Sequence, residues 1–575
     1  MSATKSQLVV KCAATVAMLA MTAGQAMAQQ PSETRIQELI RIAAQQAATG
    51  QTAQVPAPTS SPAIQAAPGS TGVIRLTLDE AVKAALEHNL NIAVARLNPQ
   101  INDLAYASLE SVFKPALTSQ LATQSQSTPS TNTIAGGSLS TPVVAGLTTF
   151  NGGVAQNLKW GGGGYTVTLN NNKQTTTSTL SLFNPTYNTN WSAQYTQPLL
   201  RGRQIDSTRQ QLVVTKLTRD VTDIELRSSI TNTLSNVREA YWNYVFAVQS
   251  VDVAQQSLTL ANQLVGDNQT RVQVGTMAPI DVFSARAQAA TAQQNLVTAQ
   301  ATMRTSELSL KTLIVGGTTD PLWNATLDPV DRPEFTPENI DVAAVVRRAL
   351  AERTDLAIAQ KNVAANDVTL KYLHDQLLPQ ADLVANYGLA GLGGTQLVRS
   401  GTGVGTGTNT VLSTVPGGYG DALSSLFGTN YPRWTVQVNM SYPLGFSSQQ
   451  ASVARAQVQL NQAAAQVKQV ELQVATDVTN AAINVRSNVE RVQASQAARQ
   501  FAQQTMEAEQ SKFSVGMSTS YNVILTQRDL ATAQNNELQS ILNYRNSVVE
   551  LDRLQQTTLQ NLNVTLVGTA TTAVR

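Results

Sequence analysis

Chemistry in this 575-residue chain would first be sought at two histidines, His88 and His374, at one cysteine, Cys12, and at the glycine run Gly161 to Gly164. His374 precedes Asp375, the order of a base beside an orienting carboxylate, yet no serine or cysteine nucleophile can be argued beside it. A pair on a helix surface is the simpler reading. The glycine run is not followed by the Lys-Ser/Thr that completes a phosphate loop and reads as a turn between strands. Cys12 belongs to a leader in which Lys5 and Lys11 precede an apolar run from Ala13 to Ala23 and an Ala26-Met27-Ala28 cleavage pattern before Gln29. The expectation is an exported protein with residues 1–28 removed. Such a mature chain has no cysteine, which excludes disulfides, thiolate nucleophiles and Cys-ligated zinc. No catalytic residue, metal or cofactor is expected.

Charge narrows the classes further. Charged residues make up 13% of the chain, about half of the ~25% usual for soluble domains, and Gln, Asn, Ser, Thr and Ala fill the deficit. Lys plus Arg total 39 and Asp plus Glu 37; subtracting Lys5 and Lys11 leaves 37 against 37. A neutral mature chain argues against nucleic acid as a partner. Beyond the leader no window of about 18 residues is predominantly apolar, so no transmembrane helix is expected. An exported chain of this kind belongs in the periplasm, in the medium, or in an outer membrane crossed by β-strands.

The elements that would position any site occur twice. Leu86, Ile92, Ala93, Ala95, Asp103 and Pro115 match Leu350, Leu356, Ala357, Ala359, Asp367 and Pro379, each pair 264 apart, and on this offset His88 matches Glu352. Val237, Tyr244, Val248, Val251, Val274, Gly275 and Val282 match Val478, Val485, Val489, Val492, Val515, Gly516 and Val523, each pair 241 apart. Between them the prolines of QPL at Pro198 and YPL at Pro443 are 245 apart. Each copy reads helix, strand, strand, helix, helix. The first helix opens at Thr77 with Glu80 three residues on, a capping box, and runs to about Phe113. Strands follow with a two-residue period: Trp434, Val436, Val438, Met440 and Tyr442 face one way and Thr435, Gln437, Asn439 and Ser441 the other, and Trp191, Ala193 and Tyr195 repeat the pattern. Such two-faced strands, with Trp191, Tyr195, Trp434 and Tyr442 as interface aromatics, suit a membrane barrel with a wet interior, although a soluble sandwich edge alternates in the same way. Val154 to Trp160 and Tyr165 to Asn171 form an additional candidate hairpin in the first copy only.

Long helices are expected from about Ile205 to Val274 and from about Gln449 to Val515. Ile230, Leu234, Val237, Tyr241, Tyr244, Val248 and Val251 advance 21 residues in six steps, the 3.5-residue period of a left-handed coiled coil. Each long helix ends at a glycine, in QVGTMAPIDVFSAR and SVGMSTSYNVILTQ, as the tip of a helical hairpin. Residues 29–73, rich in Gln, Ala and Pro, precede the repeats as an extension with a short helix from about Ser32 to Ala48. Residues 74–315 form the first repeat, 316–337 a linker, 338–562 the second repeat, and 563–575 a tail.

LTLDEAVKAALEHN, the proline-terminated helices, QPLLRG at Gln197 to Gly202 and the paired VG tips, in their duplicated order over Ile74 to Leu562, resemble the TolC-like outer membrane efflux proteins. The resemblance implies an α+β membrane channel. In it a homotrimer contributes four strands per protomer to a 12-stranded outer-membrane β-barrel, continuing into a long periplasmic α-helical barrel. It implies an exit duct of a tripartite efflux or secretion system, with a periplasmic adaptor and an inner-membrane transporter as partners, outer-membrane lipid around the barrel, and no covalent chemistry. By position it implies adaptor docking at Gly275, Thr276 and Met277 and at Gly516, Met517 and Ser518, and a periplasmic gate at Asp281, Asn522 and Leu525. Where the family carries two aspartates three residues apart, this chain has Asn522 and Leu525, and the arginine expected near Ser518 is missing. An uncharged aperture ring follows from that departure. Type I protein secretion is the alternative within the duct reading, and a coiled-coil surface or adhesive protein the alternative from another class.

Overall fold

A computed structural model of the chain describes residues 41, 72–129, 142–332, 335–337, 340–400, 411–445 and 447–564. The expected leader, most of the N-terminal extension with its short helix, and the tail beyond residue 564 lie outside the described residues. Strand β1 (Val73–Leu76) leads into α1 (Leu78–His88), capped by Thr77 and Glu80 as the sequence predicts. The expected single helix to Phe113 is two helices. Asn89 adopts an extended ψ of 122° and caps α2 (Leu90–Ser111), its side chain accepting from the backbone N–H groups of Asn91 and Ile92. The second copy breaks at the matching residue, Arg353, between α6 (Val342–Glu352) and α7 (Thr354–Asp375).

The long helices α3 (Ser207–Gln273) and α9 (Ser448–Ser514) have 67 residues each, about 100 Å of helix. They turn back as α4 (Pro279–Ile314) and α10 (Ser520–Leu554). The 3.5-residue stripe is what they bury: Ile230, Leu234, Val237, Tyr241 and Tyr244 on α3 and Val474, Val478, Val485 and Val492 on α9 are at most 2% exposed. The first stripe packs with α1, Leu310 and Ile314 of α4, and the strand β6 (Thr326–Pro329), which pairs in parallel with β1 and follows the single-turn helix α5 (Pro321–Asn324). Tyr244 donates to the Leu327 carbonyl and Tyr241 to Asp331 at 2.7 Å, and burial pushes both hydroxyls up from their ordinary pKa. The second stripe packs with Ala349 of α6 and Tyr544, Leu551 and Leu554 of α10. A single turn, α11 (Thr558–Asn561), returns Leu559 to the first core.

At the other end of α3 and α9 lies one antiparallel sheet of seven strands: β2 (Ala116–Thr128), β3 (Val143–Asn157), β4 (Gly164–Thr176), β5 (Phe183–Pro198), β7 (Gln380–Arg399), β8 (Val411–Val415) and β9 (Pro432–Ser441). This corrects the expectation of four strands per protomer. The first-copy hairpin is real, and it is the β3–β4 pair, fully integrated in the sheet. Both β8 and β9 pair with β7, β9 along Gln380 to Leu389 and β8 along Gln396 to Arg399, as two pieces of one returning strand.

Between those pieces, in a stretch rich in Gly, Ser and Thr, is a helix, α8 (Tyr419–Phe427), which lies on the sheet. Its seat is cut by glycine: a Cβ on Gly391 would meet the Ala422 carbonyl oxygen at 2.1 Å, and one on Gly393 the Gly418 carbonyl oxygen at 2.5 Å. Ala422 and Leu426 are buried there, and Tyr419 packs edge-on against Phe150 of β3 at 5.2 Å.

The register sorts the side chains. Val154, Val167, Ala193, Tyr387 and Trp434 share one face across five strands, with Leu117 opposite Val154 on β2, Leu169 and Trp191 on the next rung, and Val436, Val438 and Met440 along β9. The other face carries Thr118, Gln120, Thr166, Thr168, Asn170, Ser192, Gln194, Asn386, Thr435, Gln437 and Asn439. Helix α8 covers the apolar face, since Gly391 and Gly393 pair with Thr189 and Tyr187. Along the rungs Ala116 connects to Ala155, Thr166, Gln194, Asn386 and Thr435, six positions before the β9 end at Ser441. A slip of six residues at ~3.4 Å over five strand spacings of ~4.8 Å inclines the strands by about 40°, the tilt of membrane barrels. Among the described residues no helix is long and apolar enough to cross a membrane.

Candidate functional site

QPLLRG joins sheet to helix. Gln197 donates to the Gly161 carbonyl at 2.7 Å, tying the joint to the glycine turn between β3 and β4, which is a strand connection as expected. Arg201 donates to Gln376, and the Gly202 N–H to Asp375 at 2.6 Å. Asp375 is therefore a buried structural acceptor at the end of α7, and it orients no base. His88 lies beside Gly316 and near Glu87. Among the described residues no group of three or more His, Cys, Asp or Glu side chains could hold a metal ion.

The far ends of α3 and α9, the hairpin tips, carry the densest set of sequence-predicted site residues. Gly275 (φ +77°) and Gly516 (φ +80°) close both long helices in the left-handed conformation, with Thr276 N–H donating to the Arg271 carbonyl at 2.9 Å and Met517 N–H to the Lys512 carbonyl at 2.8 Å. These are the six-to-one bonds of a Schellman turn. An added Cβ at either glycine would meet nothing within 4 Å, so glycine serves the backbone angle and not a close approach. Pro279 starts α4, and Thr519 caps α10 by accepting from the Asn522 N–H.

The two tips are packed together. Leu264 of α3, Ala285 of α4, Phe513 of α9 and Val523 of α10 form one buried cluster, joined by Met277 and Ile524. Asn268, fully buried on α3, donates to Ser520 of α10 at 2.7 Å and to the Asp281 carbonyl of α4 at 3.3 Å. Arg271 lies over the Phe513 ring at 4.3 Å and donates to the Ser514 carbonyl at 3.3 Å.

Among the expected docking residues, Gly275, Thr276, Gly516 and Met517 are exposed, whereas Met277 turns into the tip cluster and Ser518 donates to Glu509. Among the expected gate residues, Asn522 is exposed on the first turn of α10 and donates to Ser518, Leu525 is half-buried one turn further on, and Asp281 is half-buried on α4. Sequence reading missed Asn268, Arg271, Glu509 and Ser520. It also missed the exposed apolar rim of Val274, Ile280, Val515 and Tyr521, whose only signal was apolar residues flanking a turn glycine.

The Ser518 hydroxyl, and then Lys512, hold the Glu509 carboxyl below its ordinary 4.5. A depressed carboxylate stabilises the fold above its unfolded pKa and loses that contribution as pH falls through the folded value. The Glu509–Ser518–Asn522 contact is therefore expected intact at neutral pH and lost below about pH 4.5. The difference in melting temperature between the wild type and Glu509→Gln should shrink as pH falls through that window; a difference that does not change with pH would reject the assignment.

The outer membrane efflux protein family model matches residues 164–316 and 345–555. The fold is similar to solved structures of the OprN outer-membrane channel (TM-score 0.58, 14% identity, 83% of this chain and 89% of that one) and of CusC (0.60, 13%, 88% and 98%). It is similar also to the open state of the MtrE outer membrane channel of Neisseria gonorrhoeae (0.56, 14%, 88% and 97%). No curated protein matches the chain in sequence. With the two-faced sheet, the 67-residue helices and the paired glycine tips, the family match over well over half of the chain shows that it belongs to the outer membrane efflux proteins.

Proposed function

We propose that three copies of this chain form a passive exit duct through the outer membrane. A periplasmic adaptor would dock on the tips, and an inner-membrane transporter would supply the energy. The observation that carries the reading is the union in one chain of a tilted sheet, apolar on one face and polar on the other, with two long helical hairpins whose tips lock together. Lipid would meet the apolar face, with Trp191, Tyr195, Trp434 and Tyr442 among its aromatics, and water the polar face. Residues 74–315 and 338–562 act as two repeats about the linker 316–337. The exposed tip residues Gly275, Thr276, Gly516 and Met517, with Val274 and Val515, form the adaptor surface, and Asp281, Asn522 and Leu525 border the aperture. The polar face, lined mainly by neutral amides and hydroxyls with Asp382 and Arg433 also on it, suits small-molecule efflux, with type I protein secretion as the alternative cargo class. A surface stalk has no use for a sheet with one lipid-compatible face.

Single-channel recording in a planar bilayer tests the duct: discrete conductance steps from purified oligomers support it, and silent, well-folded oligomers refute it. Asn522→Asp tests the aperture. Asn522 donates to Ser518, which donates to Glu509, so the substitution brings a second carboxylate to that contact, and carboxylates are the hard oxygen donors that divalent cations take. Millimolar divalent cations are expected to leave wild-type conductance unchanged and to reduce that of Asn522→Asp several-fold. Equal conductance of the two in divalents would remove Asn522 from the aperture.

A further inference from the structure

The sheet ends in two open edges, the outer sides of β2 and β9, which pair with nothing among the described residues. All 13 residues of β2 and all ten of β9 are exposed. Soluble proteins blunt such edges with charge, proline, bulges or short strands. The β2 sequence ALTSQLATQSQST contains no charged residue, no proline and no glycine, and β9 carries only Pro432 and Arg433, at its start. In a membrane every unpaired backbone group costs several kcal/mol, so both edges must be covered. One chain cannot cover them itself, because six tilted strands fall short of the eight in the smallest membrane barrels.

Second copies can. From β2 to β9 the strands alternate in direction without interruption, so a neighbour's β2 set beside β9 continues the antiparallel order. The faces continue as well, with Leu117 and Leu121 of β2 on the side of Trp434, Val436 and Met440 of β9. Each of β2, β3, β4, β5, β7 and β9 has ten residues or more, enough to cross a bilayer, and one uniform stagger of about 40° runs through all six.

We infer that β2 of each copy pairs with β9 of the next, so that the three-copy duct closes as a barrel of eighteen full-height strands rather than twelve. The count of three rests on the proposed function; the six strands per copy do not. With ~4.8 Å between strands and a ~40° tilt, eighteen strands give a wall about 36 Å across, against about 24 Å for twelve. The outer segment would then be an open, porin-like tube of mainly uncharged polar lining, passing solutes larger than a twelve-stranded collar admits and leaving selection to the tips.

The mature chain holds no cysteine of its own, so disulfide mapping starts from a clean background. Cysteine pairs made from Thr118→Cys or Gln120→Cys on β2 with Gln437→Cys or Asn439→Cys on β9, all on the polar face, are introduced into the full-length protein in outer membranes. Oxidation is expected to give linked dimers and trimers on non-reducing gels for at least one of the four registers. Thr166→Cys or Asn170→Cys on β4, with the same β9 partners, is expected to give none, because β3 and β5 flank β4. Cross-linking of β4 to β9 without any β2 to β9 product would overturn the inference in favour of twelve strands. Neither product from a protein that sizes as a trimer would also overturn it, whereas a protein that sizes as a monomer would reject the three-copy reading itself.

Discussion

Asn268→Ala combined with Arg271→Ala is expected to convert the proposed duct from rare openings to a mostly open state. The two side chains tie the hairpins together at their tips: Asn268 bonds Ser520 of the other hairpin as well as the Asp281 carbonyl of its own, and Arg271 bonds the Ser514 carbonyl while stacking on Phe513. Losing a buried hydrogen bond and stranding its partner costs about 1–3 kcal/mol, and the cation–π contact about 0.5–1 kcal/mol at an exposed site. Together roughly 3 kcal/mol per protomer shifts a two-state equilibrium by about 150-fold. The apolar cluster of Leu264, Ala285, Phe513 and Val523 stays, so the helices are expected to fold and the tips alone to loosen. Bilayer recordings should show a several-fold rise in mean conductance with unchanged trimer yield. Wild-type gating in a double variant that still forms trimers would show that these ties do not restrain the tips. Arg271→Lys, which keeps charge but loses the flat stacking group, is expected to fall between the two.

Gly391→Val is expected to sharply reduce assembly. An added Cβ would sit 2.1 Å from the Ala422 carbonyl oxygen and 2.9 Å from the Leu426 amide, both backbone atoms of α8 that no rotamer change can move. Overpacking typically costs 1–3 kcal/mol where side chains can yield, and here helix or strand must shift, so the upper end of that range or beyond is expected. Heat-modifiable oligomer on semi-native gels should drop by about an order of magnitude in yield. Gly152→Ala, on the same face of β3 with nothing within 4 Å of its added Cβ, is the matched control and should assemble normally. Equal yields from the two variants would mean that α8 does not hold its place on the sheet.

How much of this was legible depended on whether the signal was local. The stripe of Ile230, Leu234, Val237, Tyr241 and Tyr244 announces its own burial through spacing, as do the glycine tips, because a helix repeats every few residues and its ends have few chemical solutions. The break at Asn89 was less visible: a single extended residue suffices, and the matching break at Arg353 has no side-chain cap at all. An extended segment was legible after Pro115, but the length and partner of β2 were not, because its two leucines are diluted among Gln, Ser and Thr and its place in the sheet is fixed by thirteen rungs to β3. Helix α8 was hidden in a Gly-, Ser- and Thr-rich stretch whose glycines read as loop, although Gly391 and Gly393 belong to a strand and are small to admit the helix. The tie from Asn268 to Ser520 spans 252 positions, and no periodicity relates two polar residues on different hairpins.

The two apolar cores of the helical region also divide the chain in time. The first draws on residues between Leu76 and Leu327, with Leu559 added at the end, and the second on residues between Ala349 and Leu554. The parallel pair of β1 with β6 fastens the start of the first half to its finish. A chain delivered from its N-terminus can therefore bury the first stripe of tyrosines and aliphatics before the second half has emerged, and the second half needs no borrowed side chain to bury its own. Each half thus has a core about which it can fold, while the shared sheet and tips need both halves present.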